Sequence, residues 1–138
     1  MEERVRSYFR EAIDGGHAEI IRELFTADCH IHRPEMEIRG VEAFVEFIAQ
    51  VPVLFSSFKT TIHDIFSGQD RVAVRLQHDV VSRSLFRSRL GIFDVSERSV
   101  SWNAMAIFRF ENGQIAEEWV NRDELGMLLG YGLLVRSA

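Results

Sequence analysis

Residues 101–132 read SWNAMAIFRFENGQIAEEWVNRDELGMLLGYG, and this stretch decides the fold. Two strand-like runs flank Asn112-Gly113, a dipeptide that tolerates the positive φ angles of a tight hairpin turn. After Asp123 the period changes and ELGMLLG predicts a short closing helix. With a two-residue turn, Phe110 faces Ile115, Ala106 faces Trp119, Ala104 faces Asn121 and Trp102 faces Asp123. A three-residue loop bulged at Gly113 instead sets Met105 opposite Trp119. Side chains alternate along a strand, so Glu117, Trp119, Asn121 and Asp123 share a face in either register. The alanines of the favoured two-residue form leave room for an indole and a small ligand. That face is therefore the expected floor of a pocket. Met105, Ile107, Arg109, Glu118 and Val120 are expected on the opposite face, an apolar patch rimmed by charge that suits a second copy of the chain.

The chain works outward from this hairpin as one domain, residues 1–138, long enough for a real core. Apolar residues make up 46%, and the eleven Phe against two Tyr suggest a strongly apolar interior or cavity. A net charge of −5 and scattered arginines argue against nucleic acid, which needs a concentrated basic surface. The single Cys29 excludes an internal disulfide and a cysteine-rich zinc site, and fits a reducing compartment. The acidic, amphipathic N-terminus lacks a signal-peptide core, and no run approaches the roughly 20 apolar residues that span a bilayer. A soluble cytoplasmic protein with no membrane partner is expected.

Upstream, Val5, Tyr8, Phe9, Ala12 and Ile13 predict a helix ended by Gly15-Gly16, and Ala18, Ile21, Leu24 and Phe25 a second short one. Residues 29–33 read as a brief strand stopped by Pro34. Val41 to about Phe55 is helical, with Pro52 expected to bend or end it. From Lys59 the period becomes two: a strand to Ser67, a turn at Gly68-Gln69-Asp70, and a strand from Arg71 with Val72, Val74, Leu76, His78 and Val80 on one face. Residues 85–95 are less regular, and Gly91 suggests a bulge or bend. Helices followed by an antiparallel meander make an α+β domain, in which a long twisted sheet wraps into a cone with a hollow for a small hydrophobic molecule.

Three stretches carry a family resemblance: ADCHIHRPEMEIRGVEAFVEFI (27–48), GQDRVAVR (68–75) and, above all, IFRFENGQIAEEWVNRDELGMLLGYG (107–132). Over nearly its full length the chain resembles SnoaL-like polyketide cyclases of the nuclear-transport-factor-2-like superfamily. The resemblance implies a cystatin-like half barrel: a curved antiparallel sheet packed by N-terminal helices, with a pocket inside and a homodimer through the outer face. It also implies acid/base catalysis of an aldol ring closure without metal or organic cofactor, with Asp123 at the position of the family's aspartate. The histidine that works beside that aspartate has no match. The 101–110 strand has none, and the segment after RVAVR reads Val80-Val81-Ser82-Arg83-Ser84.

The candidate residues each have a plainer use. Asp123 is a general base if an apolar pocket lifts its pKa, or an N-cap of the closing helix. Trp119 and Trp102 are ligand platforms or core fillers, and Asn121 orients a carbonyl or makes a structural bond. Tyr8 can aim its hydroxyl into the cone, and His32 can act as a pocket acid. His30 and His32 share a strand face, yet with Glu35 they are a weak metal signal, so no metal is expected. His63 and His78 read as hydrogen-bonded core or interface histidines. The expected activity is a cofactor-free cyclase or isomerase. The alternatives are a binding protein without chemistry, or an epoxide hydrolase, which needs two carboxylates bridged by an arginine.

Overall fold

The computed structural model describes residues 1–137. The predicted apolar stripe, Val5, Tyr8, Phe9, Ala12 and Ile13, is buried throughout. Helix α1, Glu2–Ser7, carries its start and continues as a π-helical stretch, Tyr8–Asp14. Gly16, at φ 73°, turns the chain away where a side chain would be strained. A single 3₁₀ turn, Ala18–Ile20, leads into α2, Ile21–Leu24. Strand β1, Phe25–His32, begins at Phe25 rather than Cys29, because Phe25 already pairs with Ile115 of a neighbouring strand before the register shifts and pairing resumes at His30. A short β2, Glu37–Arg39, follows. The expected long helix is split into α3, Val41–Ala49, and α4, Val51–Leu54. Pro52 lies in the first turn of α4, where its missing N–H costs nothing.

The remaining strands are β3, Phe55–Gly68; β4, Arg71–Ser82; β5, Leu85–Ser88; β6, Gly91–Asp94; β7, Ser99–Glu111; and β8, Gln114–Arg122. Helix α5, Glu124–Gly130, closes the chain. The main sheet runs β2-β1-β8-β7-β4-β3, and β5-β6 form a separate hairpin whose second strand starts at Gly91, at φ 135°. The sheet is mixed rather than wholly antiparallel, because β1 pairs with β8 in parallel. A parallel pair needs a long crossover, and here everything from β2 to β7 supplies it. Both edges stay open, so the sheet is a half barrel with helices across its concave face. Among the described residues no helix is long and apolar enough to cross a membrane.

Alternation on β4 is as expected: Val72, Val74, Leu76, His78 and Val80 all point inward and are buried. On β7, Val100, Trp102, Ala104, Ala106, Phe108 and Phe110 do the same, while Met105 and Ile107 face outward. Tyr8 sits at the centre of the core. Its ring lies 4.8 Å from Phe9, 5.3 Å from Phe25, and 5.9 Å from both Phe44 and Phe108. Such tilted and edge-on packing of buried rings is the favourable arrangement.

The closing hairpin corrects the expected pairing. Its turn is the two-residue form: Asn112 (φ 50°) and Gly113 (φ 83°) are both left-handed, and Phe110 pairs with Ile115. The register then slips, and Arg109 pairs with Glu117, leaving Ala116 as an extra residue in β8. A one-residue slip exchanges the two faces of everything beyond it. Trp119 therefore pairs with Ile107 and Asn121 with Met105, both on the outer face. Glu118, Val120 and Arg122 turn inward, so Glu118 is no surface partner of Arg109, which bonds Glu117 instead.

The slip drives a carboxyl into the core. Glu118 is 2% exposed, and its Oε1 has no hydrogen-bond partner among the described residues. Burial raises its pKa to about 7, against a smaller lowering by Arg33. Between the ordinary carboxyl value and about pH 7 the folded chain holds a proton that the unfolded chain has released. Stability from this group is thus greatest in acid and falls as pH rises through that window, by on the order of 3 kcal/mol. Glu118→Gln is expected to remove the loss, so that its urea midpoint exceeds wild type at about pH 8 and approaches it near pH 5. A mutant with the wild-type pH profile would contradict this account of the buried carboxyl.

Candidate functional site

The concave face of the sheet and the helices above it enclose a cavity of about 420 Å³. Its walls are mostly apolar: Ile48, Val51 and Leu54 from α3 and α4, Phe58 from β3, Trp102 and Ala104 from β7. The cavity's polar groups are Tyr8, Arg33, Glu35, Gln50, His78, Arg87 and Arg122. A few polar groups aimed into an apolar hollow are what a small-molecule site requires. A wider depression of about 540 Å³, lined by Ser57, Lys59, Asp79 and Ser101 among others, is open to solvent and would not dehydrate a ligand.

His78 has its protonation pattern set by its neighbours. Asp14, at the end of the first helix, accepts from the Thr60 amide at 2.8 Å and from the Thr60 hydroxyl at 2.8 Å. With its one hydrogen given to Asp14, Thr60 Oγ1 can only accept from His78 Nδ1, 2.8 Å away. The imidazole therefore carries its proton on Nδ1 and presents a lone pair on Nε2. Phe58 and Trp102 pack edge-on against the ring at 4.9 and 5.3 Å. Burial, reinforced by Arg33, lowers the His78 pKa to about 3, so the free protein holds it neutral. Burial also raises the Asp14 pKa, and the two Thr60 bonds oppose that rise.

The opposite group is a chain of charges. Arg33 Nε reaches both Glu35 oxygens at 3.1 and 3.2 Å. Arg122, turned inward by the slip in β8, lies 3.3 Å from Glu35 and 3.5 Å from Glu124. Arg89 holds the other Glu124 oxygen at 2.9 Å. Burial lowers the Arg122 pKa, and Glu35 works against that. Arg33, Glu35 and Arg122 face the cavity together, two cations against one anion, so this wall favours a partial negative charge on a ligand oxygen. Arg122 Nε and Glu124 Oε2 are buried without hydrogen-bond partners among the described residues.

The residues singled out from sequence are divided between the two faces of the sheet. Tyr8 and Trp102 line the cavity. Trp119 and Asn121 do not, because Ala116 puts them outside. Asp123 is exposed at the helix start, and its Oδ1 caps α5 by accepting from the Gly126 amide at 2.9 Å. It occupies the plainer of its two expected roles in geometry, and no apolar pocket surrounds it. His32 is also outside, stacked on Trp119 with ring centres 5.4 Å apart. Sequence alone does not single out Arg33 and Arg122, offers Glu35 only as a weak metal partner, and reads His78 as a hydrogen-bonded core or interface histidine, which it is. The alternation of β4 and the β8 slip place them, and only the doubled apolar pair Ile115-Ala116 hinted at that slip.

The family model for SnoaL-like polyketide cyclases matches residues 3–129. No curated protein is significantly similar in sequence. Among solved structures, TsrD from Streptomyces laurentii superposes with a TM-score of 0.84 at 20% identity, covering 96% of this chain and 95% of that one. IdmH from Streptomyces antibioticus gives 0.76 at 22% identity, covering 95% and 97%. A SnoaL-like polyketide cyclase from Agrobacterium tumefaciens gives 0.76 at 16% identity, covering 91% and 93%. At such identities the structures speak for the fold, the curved α+β cone. The family match spans nearly the whole sequence, and the chain belongs to the SnoaL-like polyketide cyclase family.

Proposed function

We propose that this protein is a cofactor-free acid/base catalyst of the cyclase or isomerase class, acting on a hydrophobic carbonyl compound held in the cone. The observation that supports this reading is a neutral imidazole with a fixed tautomer in a cavity that also has a net positive wall. His78 Nε2 takes a proton from the carbon next to a carbonyl, and Arg33 and Arg122 stabilise the enolate oxygen. The Nδ1–H of the new imidazolium points to Thr60 and through it to the Asp14 carboxylate, which stabilises the charge. A base with so low a pKa in the free protein gains proton affinity as the enolate's negative charge develops beside it. In a ring closure the enolate carbon then bonds to a second carbonyl carbon of the same molecule, and the resulting alkoxide recovers the proton from His78. Trp102 and Phe58 hold a flat ligand. The free, buried Cys29 supports a reducing, cytoplasmic setting.

A second reading rests on Arg122. It bridges Glu35 and Glu124, and its unpartnered Nε beside Glu124 Oε2 would suit a water molecule. Attack of that water on an epoxide carbon would break the C–O bond, with one carboxylate of the Glu35–Glu124 pair taking the water's proton and the other, protonated, giving its proton to the freed epoxide oxygen. Styrene oxide hydrolysis lost in Arg122→Gln, in a protein that does not exchange protons of a ketone, would favour this reading over the first.

The outer face supports a homodimer. One row of paired residues crosses four strands there: Phe66, Ala73, Ile107 and Trp119. Phe66 is 65% and Ile107 44% exposed, with Met105 beside them at 63%. The ion pairs Arg75–Asp64 and Arg109–Glu111 flank the row. An apolar strip with a charged rim suits a self-complementary interface about a two-fold axis.

With β-tetralone as the probe, wild type catalyses deuterium exchange at the carbon next to the carbonyl, and His78→Gln slows it at least ~100-fold. Asp123→Asn leaves exchange within about two-fold, since Asp123 caps α5 and does not line the cavity. The acidic limb is flat: His78 is already neutral above about pH 3, so kcat/KM does not rise between about pH 5 and 8. Binding of β-tetralone without exchange by wild type would leave a binding protein instead. In light scattering the chain runs as a dimer and Ile107→Glu as a folded monomer. A monomeric wild type would remove the interface.

A further inference from the structure

We propose that His30, His32 and Glu37 form a binding site for a divalent transition metal, best suited to Zn²⁺, on the outer face of the sheet where β1, β2 and β8 meet. None of the three lines the cavity. His30 and His32 are two apart on β1 and so share its outer face, while Cys29 and Ile31 between and beside them are buried inward. The β1–β2 ladder sets Glu37 directly opposite His32. Register alone therefore brings two imidazoles and a carboxylate to one spot.

The distances suit a metal. His30 Nε2 lies 3.4 Å from Glu37 Oε2, and His32 Nδ1 lies 3.1 Å from Glu37 Oε1. One ligand atom from each residue falls within 4.8 Å of the others. Zinc bonds of roughly 2.0–2.1 Å in a tetrahedron separate neighbouring ligand atoms by about 3.3 Å. Small rotamer adjustments close the set around one ion. Two histidines and one carboxylate leave a fourth position for water on the solvent side, and they match the preferences of zinc among first-row ions.

The surroundings are those of a supported ligand. The far nitrogen of His32, Nε2, lies 2.6 Å from Glu117 Oε2, the carboxylate–imidazole pairing that fixes the tautomer of a metal-bound histidine. Arg109 Nε donates to the other Glu117 oxygen at 3.2 Å and holds that carboxylate in place. Trp119 stacks nearly parallel to the His32 ring, 5° apart in plane, and limits its rotation. An independent observation points the same way. His30 Nε2 is buried with no hydrogen-bond partner among the described residues, although it points toward Glu37. A buried ring nitrogen without a hydrogen bond is costly, and a cation satisfies it. Glu37 and Glu117 set one carboxylate against each ring nitrogen of His32, so negative charge is gathered where a cation needs it. Arg39, 3.7 Å from Glu37, offsets part of that charge.

The test is calorimetric titration of Zn²⁺ into the EDTA-treated full chain at neutral pH, with thermal unfolding as a second readout. One equivalent per chain is expected, released on acidification as protons displace the metal from imidazole. Zinc should raise Tm, because it binds only the folded chain. His30→Gln and Glu37→Gln should fold as wild type by circular dichroism, lose saturable binding and lose the Tm increase. Glu117→Gln should keep the stoichiometry with about 10- to 100-fold weaker affinity, the mark of a supporting group rather than a ligand. Absence of saturable binding by wild type overturns the proposal and leaves an ion-paired histidine cluster. So does undiminished binding by His30→Gln. Ketone exchange that survives EDTA separates this site from the cavity's chemistry, so either proposal can fail alone.

Discussion

One extra residue in β8 governs the arrangement of this protein. Up to Ile115 the hairpin pairs as its turn dictates, and beyond Ala116 every side chain has exchanged faces. Because a strand has a period of two, no smaller adjustment could bring Glu118, Val120 and Arg122 into the cone while keeping the tight turn at Asn112-Gly113. The slip is compatible with the core because Ala116 is small and buried beside Ile115. Its consequences reach both faces. Inside, Arg122 meets Glu35 and Glu124. Outside, Glu117 and Trp119 meet His32.

The interior polar groups are costly in stability. Burying a carboxyl without a full set of partners, as at Glu118, or a guanidinium, as at Arg122, opposes folding unless neighbours compensate. The aromatic cluster around Tyr8 supplies the opposing term, large ring surfaces buried in tilted contact. A pocket that keeps unsatisfied charge in an apolar setting is disposed to act on ligand charge, since in such a medium each interaction is stronger than in water.

Much of the architecture was legible because it follows from local chemistry. The alternation from Val72 to Val80 needed only period-two reading, and the hairpin turn only the preference of Asn-Gly for positive φ. The stripe from Val5 to Ile13 needed only helical spacing. The parallel partnership of β1 with β8 was not legible, since it joins segments from opposite ends of the chain and no residue type announces it. The site was misplaced by parity. Counting in twos from Gly113 assigned Trp119 and Asn121 to the cone, and one uncounted residue reversed every assignment. The Asp14–Thr60–His78 chain joins a helix end to two strands, and sequence spacing carries no trace of it. For Asp123 the capping geometry was legible: an aspartate three residues before Gly126 is placed to accept that residue's amide.

The two sites share their strands, and this shapes how they relate. Just past the end of β1, Arg33 faces the cavity while the strand's last residue, His32, faces the outside. On β8, Arg122 and Glu117 divide in the same way. Pinning His32 between Glu37 and Glu117 ties β1 to both β2 and β8 through side chains as well as backbone. A cation at that junction would stiffen the β1–β2 hairpin, whose loop carries Arg33 and Glu35 into the cone. Any effect on the cavity must therefore pass through the backbone of residues 32–35, because no side chain of the outer cluster reaches inside. Coupling of that kind alters the position of the Arg33 guanidinium rather than the protonation of His78, which sits on β4, two strands from β8.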